Sequence, residues 1–514
     1  MAVVAALAIA VYANGISNGF VADDNWQLLR NPMVTSPANL PRMLGSGVWS
    51  FLGAASNYYR PLPFFIYSLL YACFGFHAAV FHSFMVLLHA GNAALVYLCV
   101  RRLSTTRIAL FAGLLFAAHP IHSEVVDWIA ALPDLMLTTL VLIGLWLLIR
   151  QEGAPGTWQI VTHCGLYLLA MLTKEPGVML LPLYAGFGFF CLGLRWHELR
   201  RNAALYTGMA ATLGIYFAMR QTALGSVAPA RQMLFHFTPA SFAMSVIVMA
   251  AQDLGRLVLP VNLNYIHMFH PTEAFTPELA ISVVVLAAVA VAFWRARNAL
   301  VSYGIFWMAA TLALTLNLAA VNQSENLFAE RYLYLPSVAF CWIAAWAWNW
   351  WAERQPRGAK IAAAAVLIAC GAQTMARNGD WRDDWTLFQK TARQSPTSGF
   401  VHDELALLYV NRDAFDTALE HERLAVQYNP AMPTYRRKLG YLLLEKDPRG
   451  AAAEFQKLLD GEPGAAQSHC DLALAFERLG ELQQAAAEYE QALRFEPRLR
   501  EAEEGYRRVM AKLR

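Results

Sequence analysis

Long apolar stretches separated by short polar ones dominate the first 376 residues of this 514-residue chain. A membrane-spanning helix needs about 20 predominantly apolar residues. Eleven segments approach that length: 2–18, 78–100, 107–122, 131–149, 158–173, 176–194, 202–219, 279–294, 299–319, 331–351 and 360–376. Segments 61–75 and 241–259 are also apolar enough to span, and we expect them to be re-entrant or interfacial helices on the outer face. The pattern predicts a polytopic helical membrane bundle.

A different pattern fills residues 377–514, where apolar positions recur among many charges. Four prolines follow one another at intervals of 34, 33 and 34 residues: Pro396, Pro430, Pro463 and Pro497. A period of 34 is the signature of the tetratricopeptide repeat, in which small residues and aromatic partners such as Ala485 and Tyr489 let helix pairs stack. We therefore predict an all-α chain, with a transmembrane domain of about 11 helices over residues 1–376 and a repeat solenoid over residues 377–514.

Composition and charge agree with this division. The chain is 57% hydrophobic, and its first 376 residues hold 34 charged side chains whereas the last 138 hold 43. The net charge of +3 includes no basic stripe, which argues against a nucleic-acid partner. The seven cysteines lack CxxC spacing and are expected to pack in apolar segments. Residues 1–20 lack a basic n-region and a cleavage site, so we expect a retained first helix.

Basic residues in short loops set the orientation of a membrane protein. With a cytosolic N-terminus, five basic groups fall in the cytosol: Arg101 to Arg107, Arg150, Arg195 to Arg201, Arg295 and Arg297, and Arg354 to Lys360. Because eleven spans is an odd number, the C-terminal domain is expected on the outer side, in the periplasm or a lumen. The polar loops discussed next fall on that same side.

Asp23 and Asp24 stand side by side just after the first apolar segment. An acid at a membrane boundary is costly unless it is solvated, paired or used, and adjacent carboxylates raise each other's pKa. The pair therefore either begins a solvated loop or supplies a catalytic carboxylate.

A cluster of histidines and an acid follows the third predicted span, at His119, His122 and Glu124. These side chains could ligate a metal, hydrogen-bond a sugar or phosphate, or cap a helix. Because no third soft ligand accompanies them, the metal is the less favoured alternative, and we expect no resident cofactor.

Three cations are predicted at the same outer face: Arg60, Lys174 and Arg331. Glu175 would either neutralise Lys174 or leave it for a phosphate. Arg331, with Tyr332 beside it, is either an interfacial anchor or a guanidinium clamp on a lipid phosphate. A carboxylate beside such cations suits transfer from a lipid-phosphate donor, because the carboxylate deprotonates an acceptor hydroxyl and the cations stabilise the departing phosphate.

Taken in order, these motifs resemble the C-superfamily of membrane glycosyltransferases (GT-C), in particular the transmembrane and tetratricopeptide repeat-containing O-mannosyltransferases and their bacterial relatives. The matching stretches are 20–26, 59–62, 119–124, 174–177 and 330–336, followed by the repeats. The array is short, with about three repeats where the animal proteins carry more.

The resemblance implies inverting transfer of a sugar from a polyprenyl-phosphate or dolichyl-phosphate donor to a Ser or Thr hydroxyl of a protein. It makes Asp23 or Asp24 the base, with Asp23 favoured, and it assigns Arg331, Lys174 and Arg60 to the donor phosphate. The remaining candidates are sugar-contacting or structural: His119, His122, Glu124, Glu175 and Tyr332. The alanine-rich composition favours a bacterial inner membrane, with the site and the acceptor-binding repeats facing the periplasm.

Two other functions stay open at this point. The membrane part could merely anchor a repeat platform for assembly, although an anchor needs only one or two spans. Alternatively, a transferase or ligase of related topology could act on a glycolipid or a pilin.

Overall fold

The chain forms two compact units, Met1–Leu387 and Phe388–Arg514, in the computed structural model. The structure describes residues 1–53, 56–193, 202–226, 235, 237–296, 298–317 and 327–514. The boundary between the units lies later than the predicted position 376, because helix Pro356–Asn378 runs past that position and the next residues pack with the first unit.

Helices build the first unit throughout its described part. They are Ala2–Tyr12, Leu40–Leu44, Pro61–Phe74, Ala78–Leu103, Thr106–Ala118, Ser123–Asp127, Leu132–Ile149, Thr157–Thr173, Leu180–Cys191, Ala203–Leu224, Pro239–Val258, Pro277–Arg295, Ala299–Asn317, Tyr334–Ala352 and Pro356–Asn378. One apolar core joins them, and Tyr303, Trp307 and Trp342 are among its largest fully buried side chains. The β pairing seen among the described residues is a single bridge between His267 and Phe328, so the all-α prediction is confirmed.

Six segments of the described chain are long and apolar enough to cross a membrane: Ala78–Leu103, Ile129–Arg150, Pro239–Val258, Pro277–Arg295, Ala299–Leu316 and Pro356–Trp381. The pair Thr106–Ala118 and Pro120–Asp127, bent by 48°, would make a seventh. These helices confirm an integral membrane protein, while the count of about 11 stays a prediction. Four of the arginines used for orientation lie outside the described residues: Arg195, Arg200, Arg201 and Arg297.

Some segments differ from their predicted form. Predicted span 2–18 is a short helix that gives way to a 3-10 turn at Ala13–Gly15, and span 176–194 opens with a 3-10 turn at Glu175–Met179. In the second of these, Pro176 stands at the start of the turn, where its fixed φ and missing N–H are tolerated. Helix Pro239–Val258, expected at the interface, satisfies the length and composition of a span.

The second unit is a series of helix pairs. Its helices after Gln394 are Gly399–Val410, Phe415–Tyr428, Pro433–Leu443, Pro448–Gly461, Ala466–Leu479, Leu482–Phe495 and Arg500–Leu513. The first helices of successive pairs begin at the predicted 34-residue spacing. Gly440 lies against the ring of Phe455 and Gly505 against the ring of Tyr489, so a side chain at either glycine would collide with the ring. This packing of small residues on aromatic rings confirms the repeat solenoid.

Candidate active site

A cavity of about 260 Å³ lies within the first unit, where several polar loops meet the ends of apolar helices. Six of the predicted site residues line it: Asp23, Arg60, Lys174, Glu175, Arg331 and Tyr332. The wall also includes side chains to which the sequence assigned no role: Gln27, Trp128, Asp134 and Arg220. Segments far apart in the chain therefore bring acids and cations to one space.

The two adjacent aspartates have different surroundings. Asp24 is fully buried and accepts hydrogen bonds from the backbone N–H groups of Val21, at 3.0 Å, and Ala130, at 2.6 Å. Asp23 lines the cavity, and its Oδ2 accepts from the side chain of Gln27 at 3.2 Å. Asp24 thus holds two loops together, whereas Asp23 presents its carboxylate to the cavity.

Each predicted cation has a carboxylate partner. Lys174 Nζ donates to both oxygens of Asp134, at 2.6 and 2.7 Å, and does not pair with the adjacent Glu175. Glu175 instead accepts from Arg60 Nη2 at 2.6 Å, and its other oxygen lies 3.8 Å from Arg220. The expectation that Glu175 neutralises Lys174 is therefore wrong, because the extended backbone at Lys174 separates the two neighbouring side chains.

Arg331 is held by Glu124, which is fully buried. Glu124 Oε2 accepts from the Arg331 backbone N–H at 2.9 Å, and Oε1 accepts from the guanidinium. The guanidinium also lies 5.1 Å from the ring centroids of Trp128 and Tyr332. A planar cation gripped on one side and flanked by aromatic rings keeps a fixed orientation at the cavity wall.

The two histidines lie away from the cavity lining. His119 Nδ1 accepts from the N–H of Ile121, as a cap of the next turn, and its Nε2 lies 2.9 Å from the carbonyl of Leu257. His122 contacts the Phe116 carbonyl and the Ser337 hydroxyl. These contacts match the helix-cap alternative for His119. No group of three or more His, Cys, Asp or Glu in the described ranges is arranged to hold a metal.

Backbone packing explains why Lys174 stands where it does. Helix Thr157–Thr173 ends at Lys174, whose backbone is extended, and Pro176 then opens the next turn. A Cβ atom at Gly177 would lie 2.5 Å from the backbone of Ala170, so only glycine permits this close approach. The sharp reversal leaves the lysine side chain at the cavity.

Burial shifts the ionisation of the groups in the cavity. It raises the pKa of Asp23, while the charge of Arg331 and the hydrogen bond from Gln27 oppose that effect. Burial also lowers the pKa of Lys174, although the charge of Asp134 works against it. An acid with a raised pKa next to cations is suited to accept a proton from a neutral hydroxyl.

Asp134 and Arg220 were not assigned to the site from sequence. Both are ionisable residues at the ends of apolar segments, and such residues are functional candidates by default. That signal was present for both, but the sequence could not show which carboxylate meets which cation, because these partners come from separate helices.

Residues 60–219 match the family of dolichyl-phosphate-mannose-protein mannosyltransferases. The chain is 25% identical over 478 residues to human protein O-mannosyl-transferase TMTC4, covering 78% of this chain and 62% of that protein. It is 32% identical over 183 residues to Drosophila melanogaster Tmtc1, covering 35% of this chain and 21% of that protein. The chain thus spans about three fifths of the length of human TMTC4, and these matches confirm the resemblance drawn from the motifs.

Solved structures also show similarity. ArnT from Cupriavidus metallidurans, bound to undecaprenyl phosphate, covers 95% of this chain and 79% of its own, at 14% identity and a TM-score of 0.39. The repeats of RPAP3, bound to an HSP90 peptide, cover 23% of this chain and 93% of their own, at 19% identity and a TM-score of 0.22.

Proposed function

We propose that this chain is an integral-membrane glycosyltransferase that moves a sugar from a polyprenyl-phosphate or dolichyl-phosphate donor to a hydroxyl of a protein acceptor. One observation supports it above all: Asp23 shares a single cavity with Arg60, Lys174, Arg220 and Arg331. The similarity to protein mannosyltransferases favours mannose as the sugar.

Asp23 acts as the general base in this proposal. Its carboxylate takes the proton of the acceptor hydroxyl as the oxygen attacks the anomeric carbon. The bond from that carbon to the phosphate breaks on the opposite face, so the configuration inverts and the lipid phosphate departs. A positioned base contributes about 10²–10⁴-fold to such a step.

The cations stabilise the charge that develops on the leaving phosphate. Their ion pairs set the positions of the guanidinium groups and the ammonium group before the donor binds, which reduces the reorganisation needed during the reaction. We assign Arg331 the main phosphate contact, because its planar fork can bind two phosphate oxygens. No resident metal or cofactor is part of the proposal.

The repeat unit is proposed to bind the protein acceptor and raise its concentration at the site. Stacked helix pairs provide an extended binding surface, and tethering a binding module to an active site increases the effective concentration of its ligand. The proposed location is a bacterial inner membrane, with the active site and the repeats in the periplasm.

Transfer of radiolabel from polyprenyl-phosphate mannose tests the function. Membranes containing the chain should place label in the protein fraction, and membranes without it should not. Label found only in glycolipid would instead support the related glycolipid-directed transferase or ligase. Absence of transfer to protein, lipid and small acceptors alike would favour the assembly platform.

The orientation depends on helix Pro239–Val258, because one additional span reverses everything after it. Reporter fusions ending after Gly225 and after Thr276 bracket this helix. Alkaline phosphatase should be active and green fluorescent protein dark at both positions if the helix is interfacial, as proposed. Opposite behaviour at the two positions would show that it spans, and the periplasmic assignment of the repeats would then need revision.

A further inference from the structure

The segment from Arg377 to Asp384, here called the strap, touches the two loops that carry Asp23 and Arg331. It follows the last long helix and belongs to the first unit. Sequence reasoning divided the domains at position 376 and gave this segment no role.

One end of the strap holds the Asp23 loop. Asp384 accepts from the backbone N–H of Ala22 at 2.6 Å and from the side chain of Asn25 at 2.9 Å. The carbonyl of Arg382 accepts from the N–H of Gly19 at 2.9 Å. These contacts lie on both sides of Asp23 in the sequence.

Ala22, immediately before Asp23, has a φ of 51°. This left-handed conformation is unfavourable for a residue with a Cβ atom, and it persists only where its surroundings enforce it. The hydrogen bond from Ala22 to Asp384 is such a restraint. The direction in which the chain delivers Asp23 to the cavity therefore depends on Asp384.

The other end of the strap holds the Arg331 turn. Arg377 Nη2 donates to Glu330 Oε2 at 2.8 Å, and Nη1 donates to the carbonyl of Leu263 at 2.6 Å. Glu330 is fully buried and directly precedes Arg331. A buried ion pair is weak evidence for stability, but its hydrogen bonds restrict geometry on both sides.

Asn378 links the two ends. Its backbone carbonyl accepts from Asn18 Nδ2 at 2.8 Å, and its side-chain amide donates to the carbonyl of Val11 at 2.9 Å. The end of the first helix is thus joined to the same helix end that supplies Arg377.

We infer that the strap aligns the proposed base with the proposed phosphate cation, and that Arg377 and Asp384 are positioning residues for transfer. The inference rests on the proposed function for its kinetic consequence. Neither residue lines the cavity, so each acts through its neighbour: Asp384 through Ala22 on Asp23, and Arg377 through Glu330 on Arg331.

The test uses the full chain with the variants Asp384→Ala and Arg377→Gln, and with Asp383→Ala as the matched control. Asp383 is the adjacent carboxylate; its side chain is 48% exposed and it caps Thr386. Asp384→Ala should lower kcat by on the order of 10-fold to 100-fold through misplacement of the base, with an unchanged KM for the donor. Arg377→Gln should mainly raise the donor KM, and the control should match the wild type.

Ala22→Gly provides a rescue that a general loss of stability would not show. Glycine adopts a positive φ without steric strain, so the double variant Ala22→Gly, Asp384→Ala should recover a large part of the lost kcat. No recovery, or an equal loss of kcat in Asp384→Ala and Arg377→Gln, would overturn the inference. If Arg377→Gln does not fold, the Ala22 and Asp384 variants decide the matter alone.

Hydrogen exchange separates this inference from the proposed function. Asp384→Ala should speed amide exchange at Gly19 and Ala22, and Arg377→Gln should speed it in residues 330–333, whether or not sugar is transferred. A wild-type chain without transfer would reject the proposed function while these local responses still test the strap. Exchange unchanged at both places would overturn the strap even in an active enzyme.

Discussion

The two units of the molecule use charge in different ways. In the first unit, ion pairs join residues distant in sequence and lie in or beside a cavity, as with Lys174 and Asp134, whose side chains are 8% and 11% exposed. In the repeats, several pairs link neighbouring repeats at the surface, as with Lys446 and Asp416, which are 57% and 83% exposed. Charge removed from water is costly to keep, so its presence in the first unit points to function more than to stability.

Truncation gives the largest expected effect and tests where the first unit ends. A chain ending after Ser395 keeps the strap, whereas a chain ending after Ala376 loses it. We expect the longer form to glycosylate a short Ser/Thr peptide while losing its native acceptor, mainly through KM. The shorter form should lose peptide transfer by about 100-fold or more, because the base loop and the Arg331 turn lose their restraints.

Equal peptide transfer by the two truncated chains would show that residues 377–395 contribute nothing to the site. Native-acceptor modification at wild-type rates by the longer one would remove acceptor binding from the repeats.

Substitution of Arg331 tests whether a buried cation of the first unit binds the donor. Arg331→Lys keeps the charge but loses the bidentate fork, and donor affinity should fall by about 1–3 kcal/mol. Arg331→Ala should be worse, because it also leaves the buried Glu124 without its guanidinium partner. Donor binding can be measured by isothermal calorimetry with polyprenyl phosphate.

The matched control is Arg354→Lys, an exposed arginine that contacts only a backbone carbonyl one turn before it. Equal donor affinity in Arg331→Lys, Arg354→Lys and the wild type would make Arg331 an interfacial anchor.

The pH dependence of transfer reports on Asp23. A base works only when deprotonated, so the rate should fall as pH falls through its pKa. Because burial raises that pKa, the loss should begin at a higher pH than for an ordinary aspartate, whose pKa is about 3.9. Gln27→Leu removes a hydrogen bond that favours the carboxylate and should move the acidic limb of kcat/KM upward by up to about one unit. An unmoved limb would separate Gln27 and Asp23 from the titration.

The smallest effect is expected at the repeat surface. Lys446→Ala should change the free energy of unfolding by no more than about 0.5 kcal/mol, because exposed pairs contribute little. Asp471→Ala is the contrasting variant, since that buried carboxylate accepts from Arg437, Tyr441 and Gln467, and its loss should lower the melting temperature clearly. Equal shifts in the two variants would erase the distinction between buried and exposed charge.

The repeats could be predicted closely because their signal is local and periodic. The spacing of Pro430, Pro463 and Pro497 anticipates helices that begin at Pro433, Ala466 and Arg500. The membrane helices were harder to bound, since apolar runs such as 176–194 include turns that hydrophobicity alone does not reveal.

Motif residues at the cavity could also be named from sequence, but their partners could not. Lys174 pairs with Asp134, forty residues away, and Arg331 with Glu124, more than two hundred away. Such pairings depend on how helices pack, and so does the strap, whose contacts link residues some 360 positions apart. The same packing separates Asp23 from Asp24, which adjacency in the sequence left equivalent.

The most direct measurement of the central claim compares Asp23→Asn with Glu273→Gln, an exposed acid of the same unit, for transfer of labelled mannose from its polyprenyl-phosphate donor to protein. Asp23→Asn should reach the membrane in normal amounts, bind the donor, and lose about 10²–10⁴-fold in turnover, because a positioned base is removed while the cations remain. Glu273→Gln should transfer at the wild-type rate. Full turnover by Asp23→Asn would contradict the account, since the cavity would then hold its cations without a catalytic carboxylate at Asp23.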